Sequence, residues 1–180
     1  MWRKRNRPVD ETERVIANPE KARERTMNRA VTLLAAKPRS VAELRERLLE
    51  KSWTNSEIVD AVLEKLSEYK YLDDRQYAAD LAVSKLRQRP QGRRRLKQTL
   101  SQKKLDKDIV DEAISSAFEK LPEAELIDQA IEKQIRLKGK PKTRDEVKKF
   151  YDHLLRRGFS YDLVSTRIRE LGKYDLGDEP

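Results

Sequence analysis

SVAELRERLLEKSWTNSEIVDAVLEKL, residues 40–66, holds two short amphipathic patterns separated by a polar turn. Its apolar positions, Leu44, Leu48, Trp53, Ile58, Leu63 and Leu66, recur at helical spacing rather than in the alternation of a strand. The pattern returns twice further along the chain. Leu96, Leu100, Leu105, Ile109, Ile114 and Ala117 form a second copy, and Phe150, Leu154, Phe159, Leu163, Ile168 and Leu171 a third. Leu44 and Leu96 are 52 residues apart and Ile58 and Ile109 are 51 apart, while both Leu96–Phe150 and Ile109–Leu163 span 54. A period held near 50 residues marks one supersecondary unit repeated in tandem.

Each unit reads as three helices. Residues 21–36, 74–87 and 123–137 are the expected first helices, 41–50, 93–102 and 144–156 the second, and 56–69, 107–119 and 161–171 the third. Ser40 with Glu43, Thr54 with Glu57, Asp73 with Gln76 and Thr143 with Glu146 fit the capping box, in which the cap oxygen accepts from an orphan backbone N–H and the residue three later reaches back. Pro38, Pro90 and Pro141 each fall between a first and a second helix, where a residue that cannot continue a helix marks a turn. The expected fold is all-α: three tandem three-helix units over 21–72, 73–121 and 122–172, a mobile basic arm over 1–20 and a tail over 173–180. Units this small bury little surface alone, so neighbours are expected to pack together or share cores. A chain that lies along a long partner favours an elongated, curved arrangement, which small-angle scattering tests.

Composition agrees with thin helical units. Hydrophobic residues make up 37% of the chain and charged residues 41%, and only 5 Gly and 7 Pro interrupt it. With no cysteine in 180 residues, disulfides, thiolate metal sites and a cysteine nucleophile are excluded, and a reducing cytoplasm fits. No apolar run reaches the length of a membrane span. The segment MWRKRNRPVDETER lacks the apolar core of a signal peptide, and Asp10, Glu11 and Glu13 argue against a transit peptide.

The charge is localised. From Lys85 to Lys104 there are nine basic residues and no acid: Lys85, Arg87, Arg89, Arg93, Arg94, Arg95, Lys97, Lys103 and Lys104. The chain has 41 basic and 32 acidic residues, so removing these nine leaves 32 against 32. The whole excess of +9 sits in one window. Concentrated charge repels itself, and a polyanion, above all a nucleic-acid backbone, relieves that repulsion. Arg93, Arg94, Arg95 and Lys97 open an expected helix, where cations oppose the macrodipole, which again points to an anion. Gln88, Gln91, Gln98 and Gln102 add neutral donors. The plainer reading is a solvated helix face; the lack of any compensating acid favours binding. Arg156 and Arg157, with Lys148 and Lys149, form a second and weaker patch, diluted by Asp145, Glu146 and Asp152.

Three stretches in order carry a resemblance. They are RAVTLLAAKPRSVAELRERLLEK (29–51), YLDDRQYAADLAVSKLRQRPQGRRRLKQTLSQKKLD (71–106) and VKKFYDHLLRRGFSYDLVSTRI (147–168). YLDD at Tyr71–Asp74 with the aromatic Tyr77, and the spacing R-x-x-x-x-G-x-x-x-[IL]-x-x-x-L from Arg87 to Leu100, are the most specific parts. Together they resemble RecX, the bacterial regulator of the recombinase RecA, over about residues 29–171. Two turns depart from the family's pattern. Lys70 stands where Gly usually precedes YLDD, and Lys103-Lys104 stands where Lys-Gly is usual. A left-handed turn at the second place costs more without glycine. The resemblance implies a monomeric, cytoplasmic regulator that binds the RecA filament on single-stranded DNA and mainly inhibits ATP hydrolysis and strand exchange. It places the chain in DNA repair and recombination and the SOS response, with no catalytic residue and no cofactor.

The remaining candidates favour plain readings. Tyr69, Tyr71 and Tyr77 suit base stacking, but packing between the first two units is the preferred reading. Asp73 and Asp74 read as a cap and a first-turn acid rather than a metal pair. His153, the single histidine, has no nucleophile or metal partner near it in sequence and reads as a packing or surface residue. No glycine-rich phosphate loop and no acid–base pair is present, so neither an enzyme nor a metal site is expected. Two rivals remain: an independent helix-turn-helix-like nucleic-acid-binding protein, on single strands or duplex, and an adaptor that binds protein alone.

Overall fold

The computed structural model describes residues 14–173, without the side chain of Lys173. Among them the regular structure is helical throughout: α1 Pro19–Ala36, α2 Val41–Leu49, α3 Ser56–Glu68, α4 Asp74–Gln88, α5 Arg93–Ser101, α6 Lys107–Lys120, α7 Glu123–Lys138, α8 Arg144–Arg156 and α9 Tyr161–Lys173. These are the nine helices that the periodicity predicts, shifted by no more than two residues at most ends. Most of the expected arm (residues 1–13) and tail (174–180) lies outside the described residues.

The repeat is visible as burial. Leu48, Leu100 and Leu154 occupy the same place in α2, α5 and α8 and are 1%, 0% and 0% exposed. In α3, α6 and α9 the deepest equivalent position is a valine: Val59, Val110 and Val164 are 0%, 2% and 0% exposed. The apolar pattern read from sequence selects the neighbouring Ile109 and Leu163 instead. Both are only partly buried, because the helix turns the valine squarely into the core.

Capping differs from expectation in one unit. The Ser40–Glu43 and Thr143–Glu146 boxes are both formed, and Asp73 Oδ1 accepts from the Gln76 N–H at 3.0 Å. The α3 cap is Asn55, whose Oδ1 accepts from the Ile58 N–H at 3.0 Å, rather than Thr54. Thr54 is buried, with its hydroxyl 3.1 Å from that of Thr26. Asp74 does more than begin α4: its Oδ1 accepts the Val41 N–H at the start of α2, at 2.9 Å.

The chain forms two compact units. The first runs through Tyr77 and includes Lys103–Leu105; the second holds Ala78–Gln102 and Asp106 onward. In the first, α1, α2 and α3 enclose Ala30, Leu44, Leu48, Val59, Val62, Leu63 and Leu66. In the second, α4 from Ala78 onward and α5 to α9 share one unit, with Leu86, Leu96, Leu100, Ile127 and Leu154 fully buried.

A recurring backbone contact follows the repeat. The carbonyl oxygens of Lys51, Lys103 and Arg157 lie at equivalent turns, after α2, α5 and α8. Each accepts a hydrogen bond from elsewhere in its own compact unit: Lys51 from Arg14 Nη1 at 2.8 Å, Lys103 from Ser40 Oγ at 2.6 Å, and Arg157 from the Gly92 N–H at 3.0 Å. Arg14 also reaches the carbonyls of Leu49 and Thr54, at 3.0 and 3.4 Å. The guanidinium thus supplies, at the first turn, the donor that helix N-cap residues supply at the other two.

A cationic cleft as candidate nucleic-acid interface

The basic window divides in space. Arg93 donates its backbone N–H to Glu123 Oε1 at 3.0 Å, its Nε lies 3.5 Å from Oε2, and its guanidinium stacks 4.6 Å above the Phe118 ring. Lys97 pairs with Asp111 at 2.6 Å, Lys103 with Glu43 at 2.9 Å, and Lys104 with Glu46. The acids missing from the window in sequence arrive from α7, α6 and α2. The Arg94 N–H donates to the Gly158 carbonyl at 3.3 Å. The first turn of α5 thus has its anion, Glu123, inside the chain, and its unfavourable dipole alone gives no reason to seek another.

The other cations converge. Lys85 and Arg89 at the end of α4, Arg95 on α5, and Arg156 and Arg157 at the end of α8 line one cleft of ≈ 480 Å³, with Gln88, Gln91, Thr99 and His153 completing its wall. No acid lines it. The cleft joins three residues of the basic window to the two arginines of the second patch, which sequence separates by about sixty positions. Arg87 and Arg94 are exposed outside its wall.

The electrostatics of the cleft bear the mark of unbalanced charge. Burial, and then the neighbouring Arg89, lower the pKa of the Arg157 guanidinium below its ordinary value. Its Nε is buried with no hydrogen-bond partner among the described residues. Burial also lowers the His153 pKa from 6.5, reinforced by Arg157, Arg156, Lys138 and Arg89. Each of these four is a cation, and their charge adds to burial in disfavouring the protonated imidazole.

A second cleft, ≈ 680 Å³, shares His153 and Arg156 with the first and carries Lys138, Lys140, Lys142 and Lys149. Its one acid, Glu146, accepts the Lys142 and Thr143 N–H groups at 2.7 and 3.2 Å as a helix cap. Lys138, Lys140 and Lys142 were not singled out from sequence; their alternation through KGKPK was the available signal. His153, read as packing or surface, sits where the two clefts meet.

The tyrosines depart from expectation. Tyr69 and Tyr71 are 60% and 71% exposed rather than packed. They flank Lys70, whose φ of 61° turns the chain sharply between them. Tyr77 alone is partly buried, 3.5 Å from Glu43 Oε2. Among the described residues there is no cluster able to hold a metal ion and no helix long and apolar enough to cross a membrane.

Family models of the first, second and third three-helix domains of RecX match residues 27–66, 73–114 and 122–166. This chain belongs to the RecX family. A curated relative named Regulatory protein RecX, from Chlorobaculum tepidum, is 34% identical over 85% of this chain and 89% of its own length. The namesake from Prosthecochloris aestuarii is 31% identical over 82% and 93%. The Bacillus licheniformis relative is 30% identical over 79% of this chain, which spans 53% of that longer protein. The crystal structure of RecX from Lactobacillus salivarius superposes with a TM-score of 0.74 at 24% identity, covering 85% of this chain and 98% of that one. In RecX terms, the first cleft draws Lys85, Arg89 and Arg95 from the second domain and Arg156 and Arg157 from the third.

Proposed function

We propose that this protein binds RecA filaments on single-stranded DNA as a monomer and restrains RecA ATP hydrolysis and recombinase activity, with no chemistry of its own. Membership of the RecX family supports the partner. The observation that carries the nucleic-acid part is the cleft of five cations, with no acid in its wall among the described residues. An extended polyanion satisfies such a surface, whereas Arg93, Lys97, Lys103 and Lys104 of the window already have acidic partners within the chain. On this reading the tandem units bridge successive protomers and slow the changes that accompany ATP turnover, or they block addition of new subunits at the growing end.

The test is RecA ATP hydrolysis on single-stranded DNA with this protein well below the RecA concentration. Strong inhibition at such ratios is expected, because one bound molecule then acts on an assembly. Inhibition that needs a DNA-saturating amount of protein, or none at equimolar protein, overturns the reading in favour of a general nucleic-acid binder.

A further inference from the structure

We infer that the cleft between α4, α5 and α8 receives backbone phosphates of a single strand, and that phosphate entry is coupled to proton uptake by His153. The inference rests on the nucleic-acid part of the proposed function and not on RecA.

The geometry favours phosphate over a protein carboxylate. Three arginines from separate elements, Arg89, Arg95 and Arg157, face one volume, and guanidinium forks match phosphate oxygens. The Arg157 Nε–H is buried and unpaired. A buried donor without an acceptor is unfavourable, and the cleft wall offers Arg157 no carboxylate among the described residues. The cleft also continues: Arg156 and His153 belong to both it and the neighbouring one. A repeating anion can follow such a path; an isolated acidic side chain occupies only one point of it.

His153 stands at the junction. On its own helix and the turn after it lie Arg156, Arg157 and Lys149, together with Glu146, whose carboxylate is engaged at the cap of α8. From the other elements it faces Arg89 and Lys85 of α4, Arg95 of α5, Lys138 of α7, and Lys140 and Lys142 of the α7–α8 turn. In the free protein burial, reinforced by Arg157, Arg156, Lys138 and Arg89, disfavours the protonated ring. A phosphate between them and the ring reverses the local field, so the ring gains a proton and becomes a further positive group against the strand. Linkage then requires the complex to tighten as pH falls.

Because His153 is the single histidine, one imidazole resonance of the full-length chain reports the cleft. Its NMR titration midpoint is measured in the protein alone, with an oligothymidylate, with sulfate (a tetrahedral anion that does not titrate in this range) and with a polyglutamate peptide, all at one ionic strength. The midpoint should lie below 6.5 in the free protein and rise by about one unit with saturating oligonucleotide, with affinity increasing about tenfold from pH 8 to pH 5.5. His153→Gln should remove that pH dependence, so that the ratio of affinities at pH 5.5 and pH 8 falls to near one, and Arg156→Gln should weaken binding at both pH values while leaving the ratio unchanged. Oligonucleotide that binds without moving the midpoint, or that does not bind, overturns the inference. A rise with sulfate but not with the strand reassigns the cleft to a free anion, and a rise with polyglutamate alone reassigns it to an acidic protein. RecA is absent from every arm, so failure here leaves the ATPase test standing, and a negative ATPase result leaves this one standing.

Discussion

Gly92 and Gly158 meet backbone to backbone: a Cβ placed on Gly92 would lie 2.2 Å from the Gly158 carbonyl oxygen, and one on Gly158 would lie 2.4 Å from the Arg95 nitrogen. The approach lets the Gly92 N–H reach the Arg157 carbonyl at 3.0 Å and the Arg94 N–H reach that of Gly158 at 3.3 Å. It seats the start of α5 on the turn after α8, which is how Arg95 and Arg157 come to line one cleft.

Gly92→Ala and Gly158→Ala should therefore each destabilise the second unit by about 2–4 kcal/mol, since backbone rather than a flexible side chain must move. Gly158→Ala should be the worse of the two, because its φ of 85° is itself unfavourable for an L side chain. Urea denaturation followed by circular dichroism checks this. Gly139→Ala, with φ 79° but open space around its Cβ position, isolates the strain component alone.

Lys70 and Lys104 hold φ of 61° and 55°, and both stand where the family pattern favours glycine. Left-handed geometry costs a non-glycine residue about 1 kcal/mol, partly offset by glycine's greater freedom in the unfolded chain. Lys70→Gly should stabilise the protein by about 0.5 kcal/mol. Lys104→Gly should gain less, as it also removes the exposed pair with Glu46. Thermal denaturation of both variants at one salt concentration separates the two effects.

Glu43 sets acid sensitivity in the first unit. Partial burial works against its ionisation, but the Lys103 hydrogen bond and charge, with the Ser40 N–H, hold its carboxyl below the ordinary 4.5. A lowered carboxyl contributes stability in full above about pH 4.5 and loses it as pH falls through the folded value. Tyr77 behaves oppositely. Burial and the adjacent Glu43 raise its hydroxyl to about 12, so its contribution is complete below pH 10 and disappears as pH climbs toward 12. Glu43→Gln should cost about 1 kcal/mol at pH 7 and should flatten the acid limb measured by denaturation between pH 3 and pH 6.

The division of the basic window predicts unequal effects on DNA binding. Arg89→Gln and Arg95→Gln should each lower single-strand affinity and reduce the log–log salt slope by roughly 0.7. Lys97→Gln, whose ammonium already faces Asp111, and Lys104→Gln should leave both nearly unchanged. Fluorescence anisotropy with an oligothymidylate across a salt series reads all four.

The apolar spacing alone determined the helices and the threefold repeat, because a side chain's place on a helix follows from its sequence separation. The family resemblance, not the spacing, marked Lys70 and Lys104 as places where glycine is usual. The spacing could not choose Val110 and Val164 over Ile109 and Leu163 beside them, since adjacent positions differ by a rotation that only packing fixes. Nor could it place Thr54 against Thr26 in the core, or leave Tyr69 and Tyr71 in solvent. Charge was legible as an amount but not as a pattern. The window from Lys85 to Lys104 is uniformly basic in sequence, yet Glu43, Glu46, Asp111 and Glu123 neutralise part of it, and Arg156 and Arg157 extend the rest into a cleft around His153. Electrostatic interaction depends on distance through space, and distances between residues sixty or more positions apart are fixed only when the helices pack.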